Sequence, residues 1–343
     1  MKIEELWEEL ENETQSGTAN SWLIRFALPQ PSQPLLVALE TASKRRALLL
    51  ALPKSALPSR QDWPVCRGLE IFAVALSGQP HLGVRLKDRT CADVFSSLAE
   101  DVAPRVAAAA NPRAAAHALL GRLHRWQKFL NAGVMGLSPE RQRGLYGELH
   151  TLHTHLLPAM DISAAITSWR APLASHQDFQ FSSGALEVKT TIAKQPQTVR
   201  ITSERQLDNT GIPALFLHVV MLDEREVETG AGNVGQSLPS IVATLRSKLA
   251  GNPAALELFD DRLLETGYLD ADAARYECRQ FSLRRELSFL IRDKFPRLIE
   301  ADLMTGIGDI NYALALAACN PFVVQLKDML ETLKATKSGR RKK

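Results

Sequence analysis

Three charged side chains alternate along a short segment near the middle of the chain in a pattern that suits phosphodiester chemistry. Asp178 opens the sequence Asp-Phe-Gln-Phe, and Glu187 and Lys189 lie in Leu-Glu-Val-Lys-Thr. Both stretches alternate polar and apolar residues, which predicts two β-strands whose successive side chains point to opposite faces. The alternation places the three charged groups on one polar face and turns Val188 away from it.

The residues between these two stretches predict a tight β-hairpin. Ser183-Gly184 suits a two-residue turn, because glycine tolerates a positive φ. With these two residues as the loop, Phe181 is expected opposite Leu186, and Asp178 opposite Lys189. The hairpin would then have one apolar face and one face that collects the charged groups.

Two carboxylates beside a lysine can support metal-dependent hydrolysis. Hard cations such as Mg²⁺ prefer carboxylate oxygens and keep waters and substrate phosphates in their coordination shell. We expect Asp178 and Glu187 to hold the ion, which would polarise the scissile phosphate and lower the pKa of a bound water. Lys189 would orient this nucleophile or stabilise negative charge in the transition state. Without a metal, one of the two close carboxylates should have a raised pKa.

A further carboxylate, Glu148, is expected on a helix that begins at Ser138-Pro139, where a capping residue precedes a proline. This helix carries an apolar stripe that includes Leu145 and Leu152, and Glu148 lies at its edge. A carboxylate that points toward a core needs a partner, because burial of an unpaired charge is costly. We therefore place Glu148 beside the metal, as a ligand of a second ion or of a metal-bound water.

The alternative is an exposed hairpin with a cross-strand Asp–Lys pair, which would contribute only a few tenths of a kcal/mol. A Glu-X-Lys triplet is common and is weak evidence by itself. The ordered set is more specific: a helix with Glu148, a hairpin with Asp178 and Glu187-Val-Lys189, a third strand near 198–203, and then Gln-Leu-Asp. Ser203 is predicted to cap a helix that carries Gln206 one turn inside it.

This set resembles the PD-(D/E)XK, or restriction-endonuclease-like, superfamily. It is most similar to a family of bacterial proteins that tend to lie in restriction or phage-defence gene clusters. The resemblance covers most of the chain, is strongest over 138–225, and rests on these segments: Gly144–Glu148, Trp169, Asp178-Phe179, Glu187–Thr191, Ile201–Glu204 and Gln206–Asp208. Gln177 stands where the superfamily name has proline, a position that tolerates substitution.

The resemblance implies an α+β or α/β fold with an αβββαβ core. It also implies an Mg²⁺-dependent endodeoxyribonuclease, with Mn²⁺ able to substitute, that acts as the cleaving subunit of a restriction or defence system. The catalytic residues would be Asp178, Glu187, Lys189, Glu148 and Gln206, of which the first two and Glu148 would hold metal. A surface glutamine remains an alternative for Gln206.

Two other functions stay open at this point. Superfamily members include proteins without activity, so the chain could be a nuclease-fold subunit that binds DNA or partner proteins and does not cut. A weaker alternative is a scaffolding subunit without nucleic-acid contact. The partners expected are DNA, other subunits of a defence complex and, as one further assembly, a second copy of the chain.

The rest of the chain divides into segments that would support this core. Short apolar runs bounded by Pro, Gly, Ser and charge predict strands and a β-rich domain over 1–90. A helical connector over 91–137 follows, with its two helices separated at Asn111-Pro112. The nuclease core is expected over 138–225, an α+β region packed on it over 226–333, and a basic disordered tail over 334–343.

Composition is that of an ordinary globular protein. The 343 residues are 45% hydrophobic and 23% charged, and the formal net charge is +3. No apolar run is long enough for a transmembrane helix. Four scattered cysteines, at 66, 91, 278 and 319, lack a zinc-like spacing. We expect reduced thiols, no membrane association and a cytoplasmic location.

His150, His153, His155 and His218 are expected to have no role in catalysis, whereas His176, close to Asp178, could bind phosphate or support the site. His150, His153 and His155 follow Glu148 closely, but they do not share one face of an α-helix and no fourth ligand is evident. We expect them to pack or to face solvent. His218, inside the apolar run 214–222, is expected to be a core histidine with a hydrogen-bond partner.

Overall fold

The structure is a computed structural model, and it describes residues 3–13, 21–28, 33–66, 68–87, 92–131, 136–170, 175–227 and 235–335. The chain divides into two units, Met1–Met135 and Gly136–Lys343. The predicted segments 1–90 and 91–137 fall almost entirely in the first unit, and the later segments form the second. Most of the predicted basic tail, 336–343, lies outside the described residues.

The first unit is built on an antiparallel sheet of five strands in the order β1-β2-β3-β5-β4. The run Val37–Leu39 in the second strand is fully buried, as expected where helices cover a sheet. Trp7 on the first helix is also fully buried and donates a hydrogen bond from Nε1 to the carbonyl of Ala38. The strands predicted before residue 90 are confirmed, and the described residues contain five of them. The elements are α1 Ile3–Glu13, β1 Trp22–Phe26, β2 Leu35–Glu40, β3 Arg45–Ala51, β4 Leu69–Leu76, β5 Gln79–Leu86, α2 Ala92–Ala107 and α3 Pro112–Asn131.

The second unit contains a mixed sheet of six strands, in which β10, β11, β9, β7 and β6 follow one another and β13 pairs with β11. β7 and β9 are parallel, whereas β6 and β11 run antiparallel to their neighbours. The elements are α4 Pro139–Thr151, a π-helix Leu152–Leu156, α5 Leu157–Ala159, α6 Ile162–Ser168, β6 Phe179–Phe181, β7 Gly184–Thr191, β8 Thr198–Ile201, β9 Leu215–Glu226, β10 Gln236–Ser237, α7 Leu238–Leu249, α8 Pro253–Thr266, α9 Ala273–Glu277, β11 Arg279–Ile291, β12 Tyr312–Ala315, β13 Val323–Val324 and α10 Leu326–Lys334.

The central strand β9 separates two hydrophobic clusters. Phe216 and Val220 point to the face covered by α4 and α7, and Leu217 and Val219 point to the face covered by β8 and β12. This confirms the prediction of a strand buried on both faces. In β7, alternation puts Val188 on the α4 face and therefore puts Glu187 and Lys189 on the opposite face.

The structure differs from the predicted αβββαβ order at two points. The third strand, β8, pairs with β12 in a separate two-stranded sheet. The helix predicted from Ser203 is wrong, because residues 204–207 form a turn. The Asp208 carboxylate accepts a hydrogen bond from the backbone of Thr210, and Gly211 follows with φ of 75°. Such local side-chain bonds and a left-handed residue compete with helix propagation. The fold is therefore mixed α+β.

Two smaller expectations can be compared with the structure. Cys66, Cys278 and Cys319 are reduced cysteines outside any disulfide, and Cys91 lies outside the described residues. Among the described helices, none combines the length and apolar character needed to cross a bilayer.

Candidate active site

The β6–β7 hairpin has a different register from the predicted one. Phe179 pairs with Leu186 and Phe181 with Gly184, so the connection is Ser182-Ser183. The shift is two residues, and an even shift leaves every side chain on its predicted face. Extending the pairing by one residue places Asp178 opposite Glu187 and not opposite Lys189.

Gly184 has a different role from the one predicted for it. It begins β7, and a Cβ atom there would lie 2.3 Å from the carbonyl oxygen of Ala214. That carbonyl accepts a hydrogen bond from the backbone of Ala185, at 2.8 Å. The glycine thus permits the approach of the chain that enters β9. The turn prediction was wrong because a close backbone contact and a turn both favour glycine.

Asp178 lies just before β6 and is fixed by the backbone of β7. Its Oδ2 accepts a hydrogen bond from the N–H of Val188, at 2.7 Å. Val188 lies between Glu187 and Lys189 in sequence, so this bond anchors the Asp178 carboxylate beside both. Burial raises the pKa of Asp178, against the lowering effect of the Lys189 charge and of the Val188 hydrogen bond.

Glu187 is the most buried of the predicted site residues, with 1% of its surface exposed. Nζ of Lys189 lies 2.7 Å from its Oε1. Burial, and then the negative charge of Asp178, raises the pKa of Glu187 to about 8, although Lys189 and the backbone of Asp178 lower it. In the described residues, neither carboxylate oxygen accepts a hydrogen bond of good geometry. A carboxylate so deeply buried is costly unless a cation or a proton neutralises it.

Lys189 has the opposite response to its surroundings. Burial lowers its pKa, but the charges of Glu187 and Asp178 outweigh burial and raise the pKa overall. The side chain is 16% exposed. It is therefore a charged ammonium group at the edge of the site.

Glu148 reaches the same site from α4. Trp169 Nε1 donates a hydrogen bond to its Oε2, at 2.8 Å. Burial and then the negative charge of Asp178 raise the pKa of Glu148 well above its ordinary value. The preceding residue, Gly147, brings α4 close to β7, since a Cβ atom there would lie 2.2 Å from Cγ2 of Thr190.

Gln206 lies in the turn after β8, where its side chain has a local partner. Its Oε1 accepts a hydrogen bond from the N–H of Thr202, at 2.9 Å. Its backbone carbonyl accepts a hydrogen bond from Gln177, the residue before Asp178, at 3.4 Å. The structure thus links the turn to the strand that carries Asp178. A direct role for the Gln206 side chain stays a prediction.

Four of the five predicted residues therefore interact, namely Glu148, Asp178, Glu187 and Lys189. The buried carboxylate of Glu187 and the neighbouring carboxylate of Asp178 suit a hard divalent cation such as Mg²⁺. Glu148 would add a third carboxylate near the bound cation.

The sequence reasoning missed two features. Trp169 was noted only as part of a resemblance, yet it holds Glu148. The second feature is a group of ligand-type side chains at a different place: His150, His155 and Glu286 bring three ligand atoms within 4.8 Å of one another. No sequence signal joins these histidines to a glutamate more than 130 residues away.

The chain was compared with known proteins. It matches a protein-family model described as "Putative PD-(D/E)XK family member, (DUF4420)" over residues 3–317. No curated protein matches it, and no solved structure matches it. The match covers nearly the whole chain and includes Glu148, Asp178, Glu187 and Lys189. The chain therefore belongs to the PD-(D/E)XK family designated DUF4420.

Proposed function

We propose that this protein is an Mg²⁺-dependent DNA endonuclease and the cleaving subunit of a restriction or phage-defence system. The observation that carries the proposal is Glu187, a carboxylate that is 1% exposed, lies beside the Asp178 carboxylate and has the Lys189 ammonium group 2.7 Å from its Oε1. A fold retains such a costly group when a ligand neutralises it in the working state. Family membership also supports a nuclease, since the matched range 3–317 contains Asp178, Glu187 and Lys189, the residues assigned to the acidic and lysine positions of the PD-(D/E)XK name.

The four site residues have distinct roles in this proposal. Asp178 and Glu187 hold the metal, which supplies Lewis-acid polarisation of the scissile phosphodiester when bound. Because Val188 donates to one Asp178 oxygen, only the other is fully available as a ligand. Mg²⁺ commonly takes one or two carboxylates from the protein, so this supply is sufficient.

Lys189 would act on the oxygen atoms of the reaction. Its ammonium group lies 2.7 Å from Glu187 and is partly exposed, so it can also donate to a water or to a phosphate oxygen. It would orient the attacking water and stabilise charge that develops on the phosphate. Glu148, held by Trp169, would accept a hydrogen bond from a water at the site.

DNA cleavage by the purified chain tests this proposal. Supercoiled plasmid is incubated with the protein in Mg²⁺, in Mn²⁺ and in EDTA, and nicked and linear products are quantified. The wild type is compared with Lys189→Ala and with Lys194→Ala, a matched control, because Lys194 is an exposed lysine five positions further along. We expect metal-dependent cleavage by the wild type and Lys194→Ala, and a loss of about 10³-fold or more in Lys189→Ala.

A second measurement distinguishes a non-cleaving relative. DNA affinity is measured at several salt concentrations, and crystals soaked in Mn²⁺ are inspected for an anomalous peak between Asp178 and Glu187. DNA bound with a salt-dependent affinity, but neither cleavage nor a Mn²⁺ peak, would favour a DNA-binding subunit. If the protein bound neither DNA nor metal, that result would contradict the proposed nuclease.

A further inference from the structure

Four side chains from separate elements converge on the α4 face of the sheet, away from Glu187 and Lys189. Oε1 of Glu286 lies 2.9 Å from Nε2 of His155, 3.2 Å from Nε2 of His150 and 3.3 Å from Nε2 of His218. Glu286 belongs to β11 and His218 to β9, while the other two histidines flank the end of α4. One carboxylate oxygen is thus surrounded by three imidazole nitrogens.

The π-helix at Leu152–Leu156 explains why two of these histidines share a side. His150 and His155 are five residues apart, and in an α-helix they would diverge by about 140°. A π-helix closes hydrogen bonds between residues five apart, and here the Leu157 N–H donates to the Leu152 carbonyl. The wider turn brings His150 and His155 into line. Such π segments occur frequently at functional sites.

His218 is oriented by a second hydrogen bond. Its Nδ1 lies 2.9 Å from Oγ of Ser288, the residue that pairs with it across β9 and β11. An imidazole anchored through one nitrogen presents the other in a fixed direction, here toward Oε1 of Glu286, and such neighbours orient the groups that ligate metal. His218 is fully buried, so its anchor and its orientation are set by the fold.

The spacing of three of these atoms suits a small ion between them. The ligand atoms of His150, His155 and Glu286 lie within 4.8 Å of one another. Ligand atoms bound about 2.1 Å from a cation at angles of about 90° to 110° lie roughly 3.0–3.4 Å apart. The distances from Glu286 Oε1 to His155 and to His150, 2.9 Å and 3.2 Å, are close to this range. The Glu286 side chain is 18% exposed and that of His150 is 13% exposed, so an ion could enter past them.

We propose that His150, His155 and Glu286 bind one divalent transition-metal ion of the Zn²⁺ class, and that His218 positions the Glu286 carboxylate from β9. Imidazole nitrogens select such ions, whereas Mg²⁺ prefers an all-oxygen site. The ion would join the end of α4 to β11. It is separate from the Mg²⁺ proposed at Asp178 and Glu187, since it lies on the other face of the sheet and uses other residues. The inference does not depend on nuclease activity.

Cobalt titration tests the site directly. The full chain is treated with chelator, exchanged into excess Mg²⁺ to fill the carboxylate site, and titrated with Co²⁺, whose visible absorption reports nitrogen ligation. We expect one equivalent to bind, to give visible bands, to raise the melting temperature and to be displaced by Zn²⁺. The variants His150→Ala and Glu286→Gln should weaken binding by about 100-fold or more, since each removes a ligand.

Two controls separate this site from its surroundings. The first control, His153→Ala, changes a half-buried histidine in the same π-helix that is not one of the proposed ligands. The second, Asp178→Asn, changes the carboxylate site. Both should keep the bands and the stoichiometry. If circular dichroism shows that Glu286→Gln does not fold, the result for His150→Ala decides whether the site binds metal. His150 is partly exposed, so its substitution should be tolerated by the fold. Absence of bound Co²⁺ or Zn²⁺ in the wild type overturns the proposal. Equal losses in His150→Ala and His153→Ala, or loss in Asp178→Asn, also overturn it.

Discussion

Glu187 and Glu286 lie on strands of one sheet, yet their carboxylates have opposite environments. Glu187 is almost fully buried, its oxygens lack hydrogen bonds of good geometry from the described residues, and burial followed by the Asp178 charge raises its pKa to about 8. Burial also raises the pKa of Glu286, but the hydrogen bonds of three histidines outweigh it and hold the pKa far below the usual range.

The contrast separates a carboxylate that supports the fold from one that is suited to bind a cation. The protein itself satisfies Glu286, so that group can stabilise the structure in the absence of any ligand. Glu187 has the ammonium group of Lys189, 2.7 Å away, and the backbone of Asp178 against burial and the carboxylates of Asp178 and Glu148, so its charge lowers stability until a cation binds. The first arrangement suits a structural joint, and the second suits a catalytic metal site. Four substitutions test this contrast, beginning with the largest expected effect.

Glu187→Gln should abolish cleavage and change how stability depends on pH. We expect at least about 10³-fold slower plasmid cleavage, because a ligand charge is lost. The folded pKa of about 8 exceeds the ordinary 4.5, so between these values the folded state holds more protons than the unfolded state. Wild-type stability in EDTA should therefore fall as pH rises through this window, relative to the variant.

Urea titrations of both proteins from pH 4 to pH 9 would measure this difference. The variant should become the more stable protein at the alkaline end, and added Mg²⁺ should restore the wild type. Parallel pH profiles for the two proteins would contradict the unsatisfied environment assigned to Glu187.

Glu286→Gln should have the opposite effect on stability. We expect a loss of about 2–3 kcal/mol at neutral pH in chelator, because the histidine donors lose a charged acceptor. The glutamine amide would also place N–H donors next to the imidazole N–H groups that contact the Glu286 carboxylate in the wild type. Chemical denaturation measures the loss, with Glu265→Gln, a half-buried glutamate on α8 outside the group, as the matched control. Equal stability of wild type and Glu286→Gln would remove the contrast between the two carboxylates.

Much of the candidate site follows from the sequence because its residues are arranged by strand periodicity. Alternation assigns Glu187 and Lys189 to one face, and the two-residue error in register leaves that assignment unchanged. The prediction of a helix after Ser203 was wrong because local interactions of single residues prevent it. The Asp208 carboxylate accepts a hydrogen bond from the Thr210 backbone, and Gly211 has a positive φ, and both compete with helix formation.

The histidine group was inaccessible to the same reasoning. The expectation that His150, His153 and His155 share no helical face holds for an α-helix, but the π-helix realigns His150 with His155. Their acidic partner is Glu286, 136 residues after His150. Helical periodicity in one segment cannot report a partner that only tertiary pairing of distant strands supplies.

The close contact between α4 and β7 makes Gly147 a third point of comparison. Gly147→Ala should cost about 1–3 kcal/mol and slow cleavage, because its Cβ atom would lie 2.2 Å from Thr190 Cγ2 and would push Glu148 away. Thr190→Ser removes that methyl group, so the double variant should recover part of both losses.

Gly144 provides the matched control on the same helix. A Cβ atom there meets nothing within 4 Å, so Gly144→Ala should stabilise the protein by about 0.5–1 kcal/mol. Denaturation and plasmid cleavage are measured for the wild type, Gly147→Ala, the double variant Gly147→Ala/Thr190→Ser and Gly144→Ala. Similar losses in both single variants would show that helix flexibility, and not the approach of α4 to β7, is what matters.

Trp169→Phe should have the smallest effect and should act through Glu148. Phenylalanine can keep the packing against Phe259, whose ring centroid lies 5.8 Å away, but it removes the N–H that donates to Glu148 Oε2. Burial and the Asp178 charge already raise the pKa of Glu148, and the Trp169 hydrogen bond opposes them. Its loss should raise that pKa further and move the acidic limb of the pH–rate profile to higher pH, with about tenfold slower cleavage near neutrality. Glu148→Gln has no charge for the indole to stabilise, so adding Trp169→Phe to it should change the rate little. Independent, additive losses in the double variant would instead make Trp169 a packing residue, and would remove the indole N–H as the group that sets the pKa of Glu148 apart from those of Glu187 and Glu286.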